Sequence, residues 1–244
     1  DREQSNPGDN PRRRARGVTG VKGSKHYAAT ASDDGGLSIA LGDASKGRNE
    51  SSTGLGGDHN DTVTLDKVQP VATKPAPKGF DQTTLMLMGG VVRSLQIAGA
   101  LEAMLDISVR YSNERVAFEK KISKFQAVQH NLARLAGESA AALAAATSAA
   151  DTIANAKSLD NDAVFLEAAA AKIRCSEAAE KGSGIAHQVH GAIGFTNEHI
   201  LHRYSLRALA WRDDFGSESY WAVELGKLVA ERGADELWPL VASR

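Results

Sequence analysis

Residues 111–126 read YSNERVAFEKKISKFQ, and residues 188–195 read QVHGAIGF. A helix-periodic segment precedes the first stretch and an alanine-rich segment precedes the second, so each stretch marks a predicted helix end. The first carries Arg115, Phe118 and Gln126, and the second carries a bend of small residues. Ligands often meet side chains and backbone N–H groups at helix ends. These residues are therefore expected to hold a large phosphorylated aromatic cofactor.

The sequence around these two stretches is helical in character from about residue 84 onwards. Apolar spacing predicts a first helix up to about Tyr111, and two more over 124–156 and 162–190. A fourth helix is expected after a cap at Thr196 or Asn197. A fifth is expected to begin at Ser217 and to reach Glu231. The many small residues let helices approach closely, so the pattern predicts an antiparallel bundle.

The first 80 residues differ in composition, since they hold 12 of the 23 glycines and 5 of the 6 prolines. Short β-prone runs alternate there with Gly, Asp, Asn and Pro clusters, which predicts a small antiparallel sheet. The predicted strands are 18–21, 26–31, 37–41, 62–65 and 68–72. We expect a long loop over 43–60 and a stiff linker over 74–78. The predicted fold class is therefore α+β, with a small antiparallel β-domain (1–80) followed by an antiparallel α-helical bundle (84–244).

The overall composition limits the possible partners. A net charge of −1 argues against electrostatic binding to nucleic acid or to a membrane surface, so the arginine run 12–16 is expected to be a solvated loop. No apolar run approaches the roughly 18 residues that span a bilayer. One cysteine, Cys175, fits a reducing and hence cytoplasmic location. The polar start has no secretory signal, and a first residue other than Met fits a processed or partial chain.

Two further groups of residues are candidates for chemistry. The histidines form two i, i+3 pairs, but no Glu has a His three residues later, so no metal is expected and polar contacts around the bend are predicted instead. Residues 211–218 mix aromatics and carboxylates before the last helix. Asp214 and Glu218 either favour the macrodipole of that helix or act as a general base with a raised pKa. The residues of the first group are His187, His190, His199 and His202.

The two opening stretches resemble the acyl-CoA dehydrogenase family. Its members carry Tyr-x-x-x-Arg-x-x-Phe-Gly and then Phe-Gln or His-Gln after the first bundle helix, and Gln-x-x-Gly-Gly-x-Gly-[FY] after the third. The resemblance covers residues 84–244 well and the β-rich region 3–80 more weakly. The matching residues are Tyr111, Arg115, Phe118, Phe125, Gln126, Gln188, Gly191, Gly194 and Phe195.

The resemblance implies a flavoenzyme that oxidises an acyl-CoA thioester between Cα and Cβ and passes the electrons to an electron-transferring flavoprotein. A carboxylate removes the α-proton while the β-hydride passes to the flavin. The resemblance also implies an oligomer, with FAD bound across a subunit interface. The adenosine-diphosphate part of FAD would be contacted by Arg115, Phe118 and Gln126. Its pyrophosphate would be lined by the bend residues Gln188, Gly191, Ala192 and Gly194.

Several positions depart from the family pattern. Ala192 replaces the second Gly of the bend, Glu119 replaces the Gly after Phe118, and the family's N-terminal helical domain has no counterpart. The family's base is a Glu before Gly-Thr at the head of the last helix, or a Glu near the start of the first. Those positions fall at Phe215 and near Gly89.

Three interpretations therefore stay open. In the first, Asp214 or Glu218 has taken over the role of the base, and the chain is an acyl-CoA dehydrogenase. Alternatively, the chain has no base and completes the FAD site of a partner in a hetero-oligomer. The third interpretation is a purely structural helical assembly protein.

Overall fold

The computed structural model describes residues 13–18, 23–33, 36–66 and 68–242. The chain divides into two compact units between Gln82 and Thr83. The first unit is built from strands and the second from helices, so the predicted α+β class is confirmed.

The first unit contains two three-stranded antiparallel sheets in its described part, with strand orders β1-β5-β4 and β2-β3-β6. Tyr27 faces Gly42 across the β2–β3 pair, and its ring occupies the space that a side chain at Gly42 would need. An aromatic ring over a strand glycine covers backbone that would otherwise be exposed. The strands are β1 (Arg13–Val18), β2 (His26–Asp33), β3 (Gly36–Asp43), β4 (Arg48–Glu50), β5 (Asp61–Leu65) and β6 (Ala72–Pro75).

Three predictions for this unit are wrong. The first strand covers Arg13–Val18, so most of the arginine run lies in a strand and not in a loop; positions 19–21 of the predicted strand 18–21 fall outside the described residues. Strand β4 lies inside the predicted loop. The last strand begins at Ala72, pairs with β3 and includes the first two of the five residues of the predicted linker. Backbone pairing with a neighbouring strand decides these segments, and side-chain pattern does not report it.

The second unit contains six α-helices and one short hairpin among its described residues. The third helix contacts the second, fourth and fifth helices and is the centre of the bundle. Arg174 on the third helix pairs with Glu138 on the second, and Glu167 pairs with Ser148, so these two helices run antiparallel. The elements are α1 (Gln82–Glu114), β7 (Val116–Ala117), β8 (Lys120–Lys121), α2 (Gln126–Asn155), α3 (Asp162–His190), α4 (Leu201–Asp213), α5 (Glu218–Arg232) and α6 (Leu237–Ala242).

Side-chain caps explain where two of these helices begin. The predicted cap at Ser217 is confirmed, because its hydroxyl accepts a hydrogen bond from the N–H of Tyr220 at the start of α5. Asn161 caps α3 in the same way. The predicted cap of the fourth helix is wrong. Thr196 donates its hydroxyl to the carbonyl of Ile193 instead, and α4 begins later, at Leu201.

The core is formed mainly by α1, α2, α3 and α4, packed through alanines and a few larger side chains. On α1, Leu87 and Val91 are buried, whereas Met88, Val92 and Leu95 are exposed. Judged by length and composition, this helix is long and apolar enough to cross a membrane. The sequence alone had indicated no apolar run of that length. Half of the most apolar window of α1 is buried in the bundle, and the core helix of a soluble protein passes the same test.

Candidate functional site

The first motif forms a two-residue hairpin between α1 and α2. Val116 pairs with Lys121 and Ala117 with Lys120, which leaves Phe118 at the tip with 89% of its surface exposed. The rings of Phe118 and Phe125 meet edge to face, with centroids 6.3 Å apart. The hairpin therefore presents an aromatic ring to the surroundings.

Backbone strain is located at the tip of this hairpin. Phe118 and Glu119 have φ values of 51° and 64°. Two-residue hairpin loops favour positive φ at both positions because the resulting twist matches that of the strands, and glycine or asparagine usually supplies it. Non-glycine residues pay a steric cost of about 1–2 kcal/mol each there. A Gly at position 119, as in the family pattern, would avoid this steric cost, whereas Glu119 does not.

Arg115 and Gln126 lie on either side of the hairpin. Arg115 directly follows α1, and its carbonyl accepts a hydrogen bond from the N–H of Ile122, which closes the hairpin. Gln126 is the first residue of α2. The side chains of both residues are exposed. The hairpin therefore carries a cation, an amide and the Phe118 ring on one short segment, a set that suits a nucleotide ligand.

The second motif ends α3 and begins a tight turn. Gly191 has a φ of 65°, its N–H donates to the carbonyl of His187, and the space where a Cβ would lie is open. Gly194 is different, because it is buried and a Cβ there would lie 3.1 Å from the His187 ring and from Leu201. Gly191 can therefore let a ligand approach the backbone, whereas Gly194 is needed for packing.

A groove of about 670 Å³ runs between the last turns of α3, the turn and α4. Gln188, Gly191 and Ala192 line it, together with Phe195, which is 72% exposed. Three of the four bend residues that the resemblance assigned to the FAD pyrophosphate thus share one surface. Gly194 lies beneath that surface and not on it.

The two motifs are joined directly by Tyr111 and His190. The Tyr111 hydroxyl donates to the carbonyl of His190 at 3.3 Å, and their rings stack with centroids 4.4 Å apart. The end of α1 is therefore fixed against the end of α3. Arg115, Phe118 and Gln126 are not among the residues that line the groove itself.

The two places where the resemblance puts a base come together in the structure. The ring of Phe215 covers Gly89 of α1 so closely that a Cβ at Gly89 would overlap it. Phe215 has a φ of 56°, and its carbonyl accepts a hydrogen bond of 2.9 Å from the indole N–H of Trp221. Gly216 follows, with a φ of 92° and no room for a side chain. An aromatic ring thus lies where the resemblance leads us to expect a carboxylate.

The two candidate bases are both paired with arginines. Asp214 Oδ2 lies 2.8 Å from Arg93 Nη2. Glu218 accepts hydrogen bonds from both Nε and Nη2 of Arg212, with Nε at 3.1 Å. This hydrogen bonding holds the pKa of Glu218 below its ordinary value. Of the two alternatives for Glu218, a general base with a raised pKa is therefore contradicted, because a charged donor stabilises the ionised form.

The sequence interpretation missed Lys172, which is fully buried in α3. Its ammonium donates to the carbonyls of Trp211 and Arg212 at the end of α4 and to the hydroxyl of Ser176. Burial lowers the pKa of Lys172 to about 8, although the nearby carboxylates, Asp214 first among them, oppose this. Lys172 therefore fixes the turn that carries Phe215. A single lysine inside the alanine run of α3 was the signal for it.

The histidines make polar contacts around the bend, as the sequence predicted. His190 and His199 have ring centroids 4.7 Å apart, and the Nδ1 of His202 donates to the carbonyl of His199. Within the described ranges, no group of three or more His, Cys, Asp or Glu side chains is placed to hold a metal ion.

Comparison with known proteins agrees with this architecture. Residues 78–218 match the family model described as acyl-CoA dehydrogenase, C-terminal domain. A probable acyl-CoA dehydrogenase, YngJ of Bacillus subtilis, is 37% identical over 128 residues, which are 52% of this chain and 32% of YngJ. Acyl-CoA dehydrogenase IpdE2 of Mycobacterium tuberculosis is 32% identical over 151 residues, 60% of this chain and 42% of IpdE2.

A solved structure shows the same fold. The ChsE4–ChsE5 complex from Mycobacterium tuberculosis superposes with a TM-score of 0.81 at 22% identity, covering 91% of this chain and 60% of the matched one. The chain matches less than half the length of the two curated relatives. The fold and the two helix-end motifs define a protein with the C-terminal helical bundle of a dehydrogenase. The chain belongs to the acyl-CoA dehydrogenase family.

Proposed function

We propose that this chain is part of an FAD-dependent acyl-CoA dehydrogenase that introduces an α,β double bond into an acyl-CoA thioester and passes the electrons to an electron-transferring flavoprotein. The contact between Tyr111 and His190 carries the proposal, because it brings the two cofactor motifs to adjoining helix ends. FAD, when bound, supplies the two-electron acceptor. The proposed location is the cytoplasm, which suits the buried thiol of Cys175.

The residues at these helix ends fit the diphosphate and adenosine parts of FAD. Arg115 offers a planar, doubly donating cation, and Phe118 offers an exposed ring face. Gln126 adds an exposed amide. The open space at Gly191 allows a ligand to reach the backbone. Ala192 and Gln188 continue that surface along the groove, whereas Gly194 supports it from below.

Retention of FAD tests this assignment. Arg115→Ala should lower the affinity for FAD by roughly 10- to 100-fold, since a charged hydrogen bond contributes about 1.5–3 kcal/mol. Affinity is measured by flavin fluorescence titration of the deflavinated chain. Arg110→Ala is the matched control, because Arg110 is an exposed arginine in the last turns of α1 but lies outside the motif. Equal affinity of the Arg115 variant and the unchanged chain would remove Arg115 from the site.

A second candidate function is supported by the α4–α5 turn. Phe215 covers Gly89 where the resemblance expects a base, and the nearby Asp214 and Glu218 are held by arginines. We propose, as the alternative, that the chain completes the FAD site of a partner subunit that carries the base. The ChsE4–ChsE5 structure, a complex of two different chains, offers a precedent within the fold.

Flavin bleaching by acyl-CoA distinguishes the two functions. The reconstituted chain is mixed anaerobically with butyryl-CoA and octanoyl-CoA, alone and with candidate partner subunits. Bleaching by the chain alone that is lost in Asp214→Asn or Glu218→Gln supports the first function. If the chain does not bleach alone but Phe215→Glu does, the second function is supported, because the new carboxylate replaces the partner's base. Failure to bind flavin in every mixture would instead support a structural assembly protein.

A further inference from the structure

The rings around the bend place two histidines, the buried His190 and the half-buried His187, in positions that suit their neutral forms. His190 Nδ1 lies 2.8 Å from the carbonyl of Ala186. A carbonyl can only accept, so Nδ1 carries the proton in the neutral ring and Nε2 has none. That Nε2 is buried and has no hydrogen-bond partner among the described residues. A second proton on His190 would therefore point into a site with no acceptor.

His187 has the same problem through a different tautomer. Ser205 donates its hydroxyl to the carbonyl of His202 at 3.3 Å, and it lies 2.8 Å from His187 Nε2. With its proton directed at that carbonyl, the Ser205 oxygen accepts from His187, so we assign the proton of the neutral ring to Nε2 and leave Nδ1 bare. Nδ1 is buried against Gly194 and has no partner among the described residues. The ring is also stacked on Phe195, with centroids 4.2 Å apart.

The groups that face these rings do not favour a positive charge. His190 is faced by Tyr111 from α1, by His199 from the turn and by His187 from its own helix. His187 is faced by His202 from α4. Tyr111 is a neutral ring, and each neighbouring histidine becomes a cation when it is protonated, so none of these groups attracts a positive charge.

The one carboxylate among the groove-lining residues is Glu180, and it is already paired with Arg212 at 3.1 Å. The macrodipole of α3 favours a cation at its C-terminus. Burial outweighs that effect and lowers the pKa of both His187 and His190.

We propose that His187 and His190 form a proton-sensitive switch that holds the turn over 191–200 against α1 and α4 while both rings are neutral. When either ring takes up a proton, its buried bare nitrogen becomes an N–H without an acceptor. The ring then moves toward water, and the Tyr111 stack and the Ser205 hydrogen bond are lost. The turn and the end of α1 loosen together. This inference goes beyond the proposed function and does not depend on bound flavin.

Hydrogen exchange of the full chain tests the switch. Exchange rates are measured at pH 7.5 and pH 5 and are divided by the intrinsic rate at each pH. Protection of residues 188–200 and of 108–122 is expected to fall by about tenfold or more at pH 5. Protection reports the equilibrium between closed and locally open forms, which the protonated rings shift toward the open form. Protection in the middle of α2 should change by less than about twofold. Unchanged protection of the turn at pH 5 would overturn the proposal.

Two further measurements link the change to the two rings. In the double variant His187→Phe, His190→Phe, which keeps aromatic rings in place, protection of the turn should no longer depend on pH. A drop that persists in a folded double variant contradicts the proposal. If that variant does not fold, NMR titration of the Cε1–H signals in the unchanged chain decides. Midpoints below 6.5 that coincide with the exchange change support the switch, and midpoints at or above 6.5 refute it.

Discussion

Replacing Lys172 with methionine is expected to remove a rise in stability that the unchanged chain shows above pH 8. The ammonium of Lys172 is buried in α3 and donates to the carbonyls of Trp211 and Arg212. Its folded pKa is about 8, whereas the ordinary value is 10.5. Between these two values the unfolded chain keeps the proton that the folded chain has lost. The free energy of unfolding therefore increases with pH across this window.

The size of the effect follows from the difference of about 2.5 pH units between the two pKa values. At 1.36 kcal/mol per unit, Lys172 alone contributes a rise of about 3 kcal/mol between pH 8 and pH 10.5. Methionine has a similar length and no charge, so Lys172→Met loses the rise. It also leaves two carbonyls without the Lys172 donor, an ammonium below pH 8 and an amine above it, which lowers stability across the whole pH range. The pH dependence of the difference is therefore the informative quantity.

Urea unfolding at several values from pH 7 to pH 10.5 gives this difference. Cys175 also titrates in this range, because burial raises the pKa of its thiol from 9.0 to about 11, and it has the opposite effect on stability. Both proteins should therefore carry Cys175→Ala. The free energy of Lys172→Met relative to its parent should become less favourable by about 3 kcal/mol as the pH rises. A difference that stays constant within about 0.5 kcal/mol would refute the lowered pKa of Lys172.

Three further substitutions test local features by urea unfolding. Glu119→Gly should raise stability by about 0.5–1 kcal/mol by relieving a positive φ, whereas Glu119→Ala, which keeps a Cβ, should not. Gly182→Ala should lower the free energy of unfolding by about 1–3 kcal/mol, because a Cβ there would overlap the buried core. Gly184→Ala is the control, since the space around Gly184 is open. Similar losses in the two variants would contradict the packing at Gly182. Glu218→Gln should lower the free energy of unfolding by about 1–3 kcal/mol at pH 7. Because Arg212 lowers the folded pKa of Glu218, this loss should shrink as the pH falls below 4.5. A loss that does not depend on pH would argue against the ion pair.

Much of the helical unit could be predicted because its signals are local. The periodicity of the segments that became α1, α2 and α3 gave their extents to within a few residues, and Ser217 is the cap that its hydroxyl suggested. The fourth helix was less predictable, since Thr196 can cap a helix or bond back to Ile193. That choice depends on where Leu201 packs in the core, which no local signal reports.

The candidate site divides in the same way. Arg115, Phe118 and Gly191 were identifiable from the sequence because they lie at helix ends with the residue types that a nucleotide needs. The role of Lys172 and the contact of Phe215 with Gly89 were not identifiable, because each joins segments that are far apart along the chain.

The sequence by itself determined the family, most of the helical segments and the two candidate cofactor motifs, since these depend on residue type and short spacing. The tertiary structure decided which face of α1 is buried, because that helix is apolar on more than one side and spacing alone cannot choose between Leu87 and Met88. It also decided that Gly194 supports the groove while Gly191 opens onto it. Asp214 became an ion-pair partner for the same reason, because Arg93 comes from α1 and is far away along the chain. Glu218 pairs with Arg212, which is only six residues away, but the turn between α4 and α5 decides that the two side chains meet.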